Sequence, residues 1–229
     1  MMNSFSLPPI CTEEPLCIDG IPLFTLSHQL PQLSREGRFN RYYSACRSAF
    51  LRTCREDLAP ALQAAYRRSL ESAAPLPQWQ GRLIAAVTYR DGQLLSLRTD
   101  ALIVGPEERW HLRRGDTWDL QHQLPLPLSL FFPAGTNLRR RLCDAAAQEI
   151  ARQEADGLAR YYPGWERMLP RAFRPQRFFL SEEGLHFFFP LHAIAPAVEG
   201  CPTFFVPYDR EKGPFPAERP KSFPEGCPK

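Results

Sequence analysis

The residues able to do chemistry are scattered along this chain. Histidines stand at positions 28, 111, 122, 186 and 192. His186 and His192 bracket Phe-Phe-Phe-Pro-Leu, and if that segment turned back they would share a metal with Glu182 or Glu199. No metal-ligand spacing supports such a site, so the expected pair is a half-buried strand histidine and an exposed loop histidine, with no metal. Asp116 and Asp119 flank Trp118, and Glu182 adjoins Glu183. Paired carboxylates do acid-base work when burial separates their pKa values. Asp116 follows Gly115 and the glutamates precede Gly184, so both pairs read as solvated turn residues. No catalytic residue is assigned. The sequence has no Gly-rich phosphate loop, no G-x-S-x-G elbow, no H-E-x-x-H and no C-x-x-C. No cofactor is expected.

Exposed aromatics offer a different chemistry, stacking on sugars or on a protein partner. Trp110, Trp118 and Trp165 are the candidates, although most rings in a chain with 12% aromatic residues must be core. The cysteine count is seven, so at least one thiol has no internal partner. The expected state is reduced and mostly buried, in a reducing compartment. A net charge of +3 calls for no nucleic-acid or anionic-membrane partner. No apolar run approaches the roughly 20 residues of a membrane helix. The start, MMNSFSLPPICTEEP, has neither a basic region nor a continuous apolar one, so a cytoplasmic location is expected, and an extracytoplasmic one only if a targeting segment is missing.

The elements that must position these residues follow from periodicity and punctuation. Residues 1–18 carry little periodicity and read as irregular. Ile21 to Leu26 reads as a first strand, with Pro22 near its start and Pro31 beyond its end. Phe39, Tyr43, Cys46, Phe50 and Cys54 then recur at spacings of three and four, the stripe of a long amphipathic helix capped by Ser34. Pro60 kinks that helix or begins another, and Leu62, Tyr66 and Leu70 continue the stripe.

RLIAAVTYR-DG-QLLSLRTDALIV predicts a hairpin turning at Asp91-Gly92. Leu83, Ala85, Val87 and Tyr89 line one face of its first strand; Leu95, Leu97, Ala101 and Ile103 line one face of the second. A third strand follows from Trp110 to Leu120, and the proline-rich LPLPLSLFFP reads as extended. Asn137 caps a shorter helix with Leu138, Leu142, Ala146 and Ile150 inward and Arg139–Arg141 on its solvated face. Gly157 and Pro163 end it, and Trp165 to Leu169 makes one more turn.

Phe178 and Leu180 lead into a tight turn with Gly184 in the left-handed position. Leu185, Phe187 and Phe189 return on one face, with His186 and Phe188 on the other. TFFVPY is the last strand. The expected class is α+β, antiparallel sheets with one long and one shorter helix on a face, no βαβ alternation and no internal repeat. The expected organisation is an irregular segment 1–18, one domain at 19–208 with subregions 19–125 and 126–208, and a flexible proline-rich tail at 209–229.

FFLSEEGLHFFFPLHAIAPAVEG followed by TFFVPY resembles the C-terminal signature of a bacterial family of extracytoplasmic sensor domains. LFTLSHQLPQL with FNRYY resembles the family's opening strand and helix start, and GDTWDL with LPLPLSLFF resembles the segment before its second helix. The resemblance spans about residues 21 to 208. This paired-domain family includes the sensor region of RsiV-type anti-sigma factors, which bind lysozyme, and the N-terminal region of PdaC-type peptidoglycan deacetylases. It implies an α+β module that binds a protein or a cell-wall glycan and catalyses nothing. The loop that engages the ligand maps onto PLHAIAPAVEG, which points to Leu191, His192, Ile194, Pro196 and Glu199, with Trp118 as a neighbouring aromatic. Family members often carry tyrosines where this chain has Leu191 or His192, and Ala197. Two other classes remain open on the residues alone: a cell-wall hydrolase using Asp116, Asp119 or Glu182 with a histidine, and a cytoplasmic structural or regulatory protein that assembles through its sheet edge.

Overall fold

The computed structural model describes residues 4–106 and 109–215. The elements in chain order are β1 (Phe5–Ser6), β2 (Cys11–Thr12), β3 (Leu16–Ile18), β4 (Ile21–Gln29), β5 (Gln32–Leu33), α1 (Arg38–Arg52), a π-turn (Thr53–Asp57), α2 (Ala59–Glu71), β6 (Trp79–Asp91), β7 (Leu94–Val104), β8 (Arg109–Asp119), β9 (Leu124–Pro125), α3 (Leu138–Ala155), α4 (Trp165–Ala172), β10 (Phe178–Leu180), β11 (Gly184–Phe188) and β12 (Thr203–Pro207). The class is α+β, as expected. Among the described residues no helix is long and apolar enough to cross a membrane.

The chain divides into two compact units that are interleaved in sequence. One holds residues up to 86 and 99–114; the other holds 87–98 and the residues from 115 onward. The division therefore cuts across the expected subregions 19–125 and 126–208, because β6, β7 and β8 each contribute to both units.

In the first unit β4 and β6 pair in parallel, Phe24 opposite Trp79 through Gln29 opposite Ile84. The connection between them holds α1, the π-turn and α2, the kind of long helical crossover that a parallel pair requires. This overturns the expectation of no strand–helix–strand alternation: periodicity shows that elements exist, not which strand pairs with which. The segment expected to be irregular is also corrected, since β2 and β3 pair antiparallel with β4, and β1 pairs with β5. Strands of two or three residues have no period of their own to read; a neighbour's ladder makes them. The core gathers Leu23, Phe24, Leu26, Phe50, Leu83 and Ile103.

Helix α1 buries Phe39, Tyr43 and Phe50 on the expected stripe, while Cys46 is only partly covered. Its N-cap is Gly37 rather than Ser34, whose Oγ accepts instead from the Ser4 amide at 3.0 Å. Pro60 stands in the first turn of α2, where its missing amide leaves no bond unmade. Leu62 and Tyr66 are buried but Leu70 is exposed, at the frayed end of the stripe. The hairpin turns one residue later than expected, with only Gly92 and Gln93 between strands; Gly92 takes φ 53° and Asp91 stays in β6. Val87 is exposed, in contrast to Leu83 and Ala85.

In the second unit the core gathers α3, α4 and the three-stranded sheet β10-β11-β12. Asn137 caps α3 as expected, its side chain accepting from the Arg140 amide at 3.1 Å. Leu142, Ala146 and Ile150 are fully buried. Arg141 is not merely solvated: its guanidinium donates to the carbonyls of Lys212 and Gly213 and lies 5.2 Å from the Phe132 ring. This helps to dock the first part of the expected flexible tail. Phe215 also donates its amide to the Phe131 carbonyl at 2.7 Å. Residues 216–229 lie outside the described residues.

LPLPLSLFFP is extended only as far as Pro127. Leu128–Phe131 coils into a 3-10 turn that buries Leu128 and Phe131, because no proline stands between 127 and 133 to prevent it. Gly184 is not a left-handed turn residue. It begins β11, opposite Pro207, and a Cβ there would lie 2.3 Å from the Val206 carbonyl oxygen. Gly115 answers a similar demand in β8, where a Cβ would lie 1.9 Å from the Phe178 carbonyl oxygen. The same approach is fixed by the Leu180 amide, which donates to the buried Ser96 Oγ at 2.8 Å, and by Ser96 to Thr117 at 3.0 Å.

Candidate functional site

The loop between β11 and β12 is held from inside and from one side. Ile194 and Ala195 are fully buried and belong to the core with Phe187, Phe189 and Phe204. Their burial anchors the loop without a regular ladder. The Ala193 amide donates to the Pro190 carbonyl at 3.1 Å, which turns the chain and places His192 at φ 62°. A short 3-10 turn at Ala197–Glu199 follows, closed by the Gly200 amide on the Ala197 carbonyl at 3.0 Å.

From the side, the connection between α3 and α4 is tied to this loop. α3 stops where Gly157 takes φ 66°, and α4 starts after Gly164 at φ 78°. Between them the Arg160 amide donates to Glu199 Oε1 at 3.0 Å, and the Tyr162 amide donates to the Ile194 carbonyl at 2.9 Å. The Tyr162 hydroxyl lies 3.4 Å from His192 Nδ1. The Tyr161 hydroxyl donates to Gln153 Oε1 at 2.6 Å. Burial, followed by the nearby Glu199, Glu149 and Glu154 carboxylates, pushes its pKa up to about 12, so it stays a neutral donor. Trp165 Nε1 donates to Glu154 Oε2 at 3.3 Å.

What remains at the surface mixes bare apolar side chains with polar and charged ones. Val198 is 80% exposed and Leu158 65% exposed. His192 is exposed, and Leu191, Pro196, Tyr162 and Glu199 are half-covered. The sequence-derived candidates thus part company. Leu191, His192, Pro196 and Glu199 sit on this face. Ile194 is fully buried, so it supports the loop from inside rather than lying on this face. Trp118 is 3% exposed in β8, opposite Pro125, and is core rather than a stacking surface. Tyr161 and Tyr162 were not among the candidates. Their signal was the pair of rings in a glycine-bounded connection, where no helical stripe asks for them.

The other chemistry-bearing residues do not converge here. His186 lies on β11, within 3.1 Å of Ser181 Oγ. Glu182 and Glu183 are exposed in the turn, as expected. Asp116 and Asp119 lie in β8 rather than in a turn. Asp119 Oδ1 accepts from the Gln121 and His122 amides, and its Oδ2 lies 2.7 Å from His122 Nδ1. Among the described residues no three His, Cys, Asp or Glu side chains are grouped to hold a metal ion. Cys11 and Cys17 are exposed, contrary to the expectation of mostly buried thiols, because the short strands that carry them have little covering them; Cys54, Cys143 and Cys201 are buried.

Residues 129–209 match the family model described as "Protein of unknown function (DUF3298)". No curated protein matches the chain. A solved DUF3298 family member from Bacteroides fragilis is similar over 90% of this chain and 90% of its own, with a TM-score of 0.62 and 16% identity. A DUF3298 family protein from Pseudomonas aeruginosa is similar over 94% of both chains, with a TM-score of 0.53 and 19% identity. At these identities the likeness is one of fold. The matched stretch contains α3, α4, the three-stranded sheet and the loop described above. The chain therefore carries, at residues 129–209, a domain similar to the DUF3298 family, within a fold shared with two solved DUF3298 proteins.

Proposed function

We propose that this chain is a non-catalytic binding module whose recognition face is the 190–200 loop together with the 158–162 connection. One observation supports it most: the Arg160–Glu199 and Tyr162–Ile194 bonds hold a connection bearing Leu158 and Tyr162 against a loop bearing His192 and Val198. Exposed apolar side chains on a backbone fixed by hydrogen bonds lose little entropy on binding. A tyrosine beside them is the residue type that dominates interface energies.

The resemblance to the sensor region of RsiV-type anti-sigma factors and the N-terminal region of PdaC-type deacetylases points the same way. It favours a protein ligand of lysozyme type, with a cell-wall glycan as the competing ligand. The tyrosines that the loop itself lacks have a replacement in Tyr162, supplied by the connection. Titration of the chain with lysozyme and, separately, with soluble peptidoglycan fragments tests the reading. Binding that Val198→Glu and Tyr162→Ala each weaken about tenfold or more, near 1.4 kcal/mol, supports it. Saturable binding to either ligand that both variants leave intact rejects this face. Binding to neither ligand removes both as partners.

A further inference from the structure

A second concave site lies within the first unit, between α1 and the strands beneath it. Its walls are apolar: Phe50 from α1, Leu83 from β6, Ala101 from β7, and Trp110 and Leu112 from β8. The cavity measures about 150 Å³. A void of that size lined by apolar side chains accepts a benzene-sized ring. On the helix side the wall ends at Thr53, where α1 gives way to the π-turn, a local widening that is frequent at functional sites. Trp110 is 39% exposed at the rim, an indole that a ring entering the cavity would cover.

Two polar features make this more than a packing gap. Thr99 lines the cavity on the same face of β7 as Ala101 and is 2% exposed, and its Oγ1 has no hydrogen-bond partner. A buried hydroxyl left unpaired costs about 1–3 kcal/mol, and a polar group on a bound molecule would remove that cost. At the mouth, the Arg114 guanidinium lies 3.6 Å from Cys46 Sγ and 3.4 Å from the Tyr42 hydroxyl. The mouth therefore carries a guanidinium, the interior is apolar, and the wall carries one hydroxyl in need of a partner.

We propose that this cavity binds a small aromatic carboxylic acid of one ring, with its carboxylate toward Arg114 and a polar ring substituent reaching Thr99. Arg is suited to a planar carboxylate because its fork donates two parallel bonds. The ring replaces water against Phe50, Leu83 and Trp110, and the substituent completes Thr99. Cys46 stands at the entrance and reports occupancy.

The test uses the whole chain with 4-hydroxybenzoate, benzoate and phenol as probes. Affinity is measured by calorimetry, and the alkylation rate of Cys46 by peptide mass mapping. The expected order is 4-hydroxybenzoate tighter than benzoate, with phenol weakest, and both acids slow Cys46 alkylation. Thr99→Val should weaken 4-hydroxybenzoate about tenfold, the worth of one hydrogen bond, and leave benzoate unchanged. Arg114→Gln should weaken both acids and spare phenol. The proposal is overturned if neither acid binds or protects Cys46, if phenol binds as tightly as 4-hydroxybenzoate, or if Thr99→Val weakens both acids equally. Thr99→Val that fails to fold leaves the Arg114→Gln comparison to decide it.

Discussion

His186 lies flat on Phe179, with ring centroids 4.9 Å apart and planes 8° from parallel. Phe205 packs on it too, at 5.0 Å, and Ser181 Oγ lies 3.1 Å from its Nε2. Burial, then the nearby Arg98 charge, holds the His186 pKa below its ordinary 6.5, against the opposing pull of Glu183. The unfolded chain therefore takes up the proton first as pH falls. Stability is full above the unfolded value of 6.5 and is lost as pH falls through the lower folded value. His28, lowered by burial and by Arg47, contributes with the same sign. Urea midpoints measured from pH 7 down to about 5 should fall, and His186→Phe should make that fall shallower. An unchanged slope would show that His186 is not the responsible group.

The approach of Phe178 to Gly115 predicts an order of severity among glycine substitutions. Gly115→Ala puts a methyl group 1.9 Å from a carbonyl oxygen of the backbone, which no side-chain rotation relieves. A loss of about 4 kcal/mol or more is expected, the range reserved for the most disruptive single changes. Gly92→Ala meets nothing within 4 Å and bears only the strain of φ 53°, about 1–2 kcal/mol. Thermal melts of both proteins decide this, and equal losses would mean that β8 moves away from Phe178 freely.

Glu13 ties the N-terminal segment to the helices of the first unit. Its Oε1 accepts from Arg47 Nε at 3.0 Å and lies 3.4 Å from His28 Nδ1, and its Oε2 lies 3.8 Å from Arg55. The Arg47 hydrogen bond is the main reason its carboxyl titrates below the ordinary 4.5. The stability it gives is present above 4.5 and is lost as pH falls through the lower folded value. Glu13→Gln should cost about 1 kcal/mol at neutral pH and nearly nothing in strong acid. Chemical denaturation at pH 7 and at the lowest pH at which the chain stays folded measures the difference; a cost that persists undiminished there would assign it to shape rather than charge.

Thiol chemistry should separate by burial. Burial pushes Cys54 up to about 12, so almost none of it is thiolate at neutral pH. Burial raises Cys143 as well. Brief iodoacetamide treatment followed by peptide mapping should label Cys11 and Cys17, which are exposed, and spare Cys54 and Cys143 until denaturant is added. Labelling of Cys54 in the native protein would reveal opening of the α1–α2 junction.

Much of this architecture was legible residue by residue. The stripe from Phe39 to Phe50, the Asn137 cap, the hairpin around Gly92 and the alternation of Leu185 and Phe187 are local patterns, and each became the expected element. The position of the loop between β11 and β12 was legible, but which of its side chains face the surface was not. Ile194 and Val198 are both apolar and four residues apart, and nothing in the string says that one is buried and the other bare.

The sequence by itself determined where the longer helices and strands lie, because their periods and caps depend on neighbours within a few residues. Only the tertiary structure decided the parallel pairing of β4 with β6, the tie of Tyr162 to Ile194, and the unpaired hydroxyl of Thr99 in an apolar cavity. Each of these rests on which distant segments meet. That is set by how buried faces pack and which backbone groups find partners, and neither has a signature in local spacing.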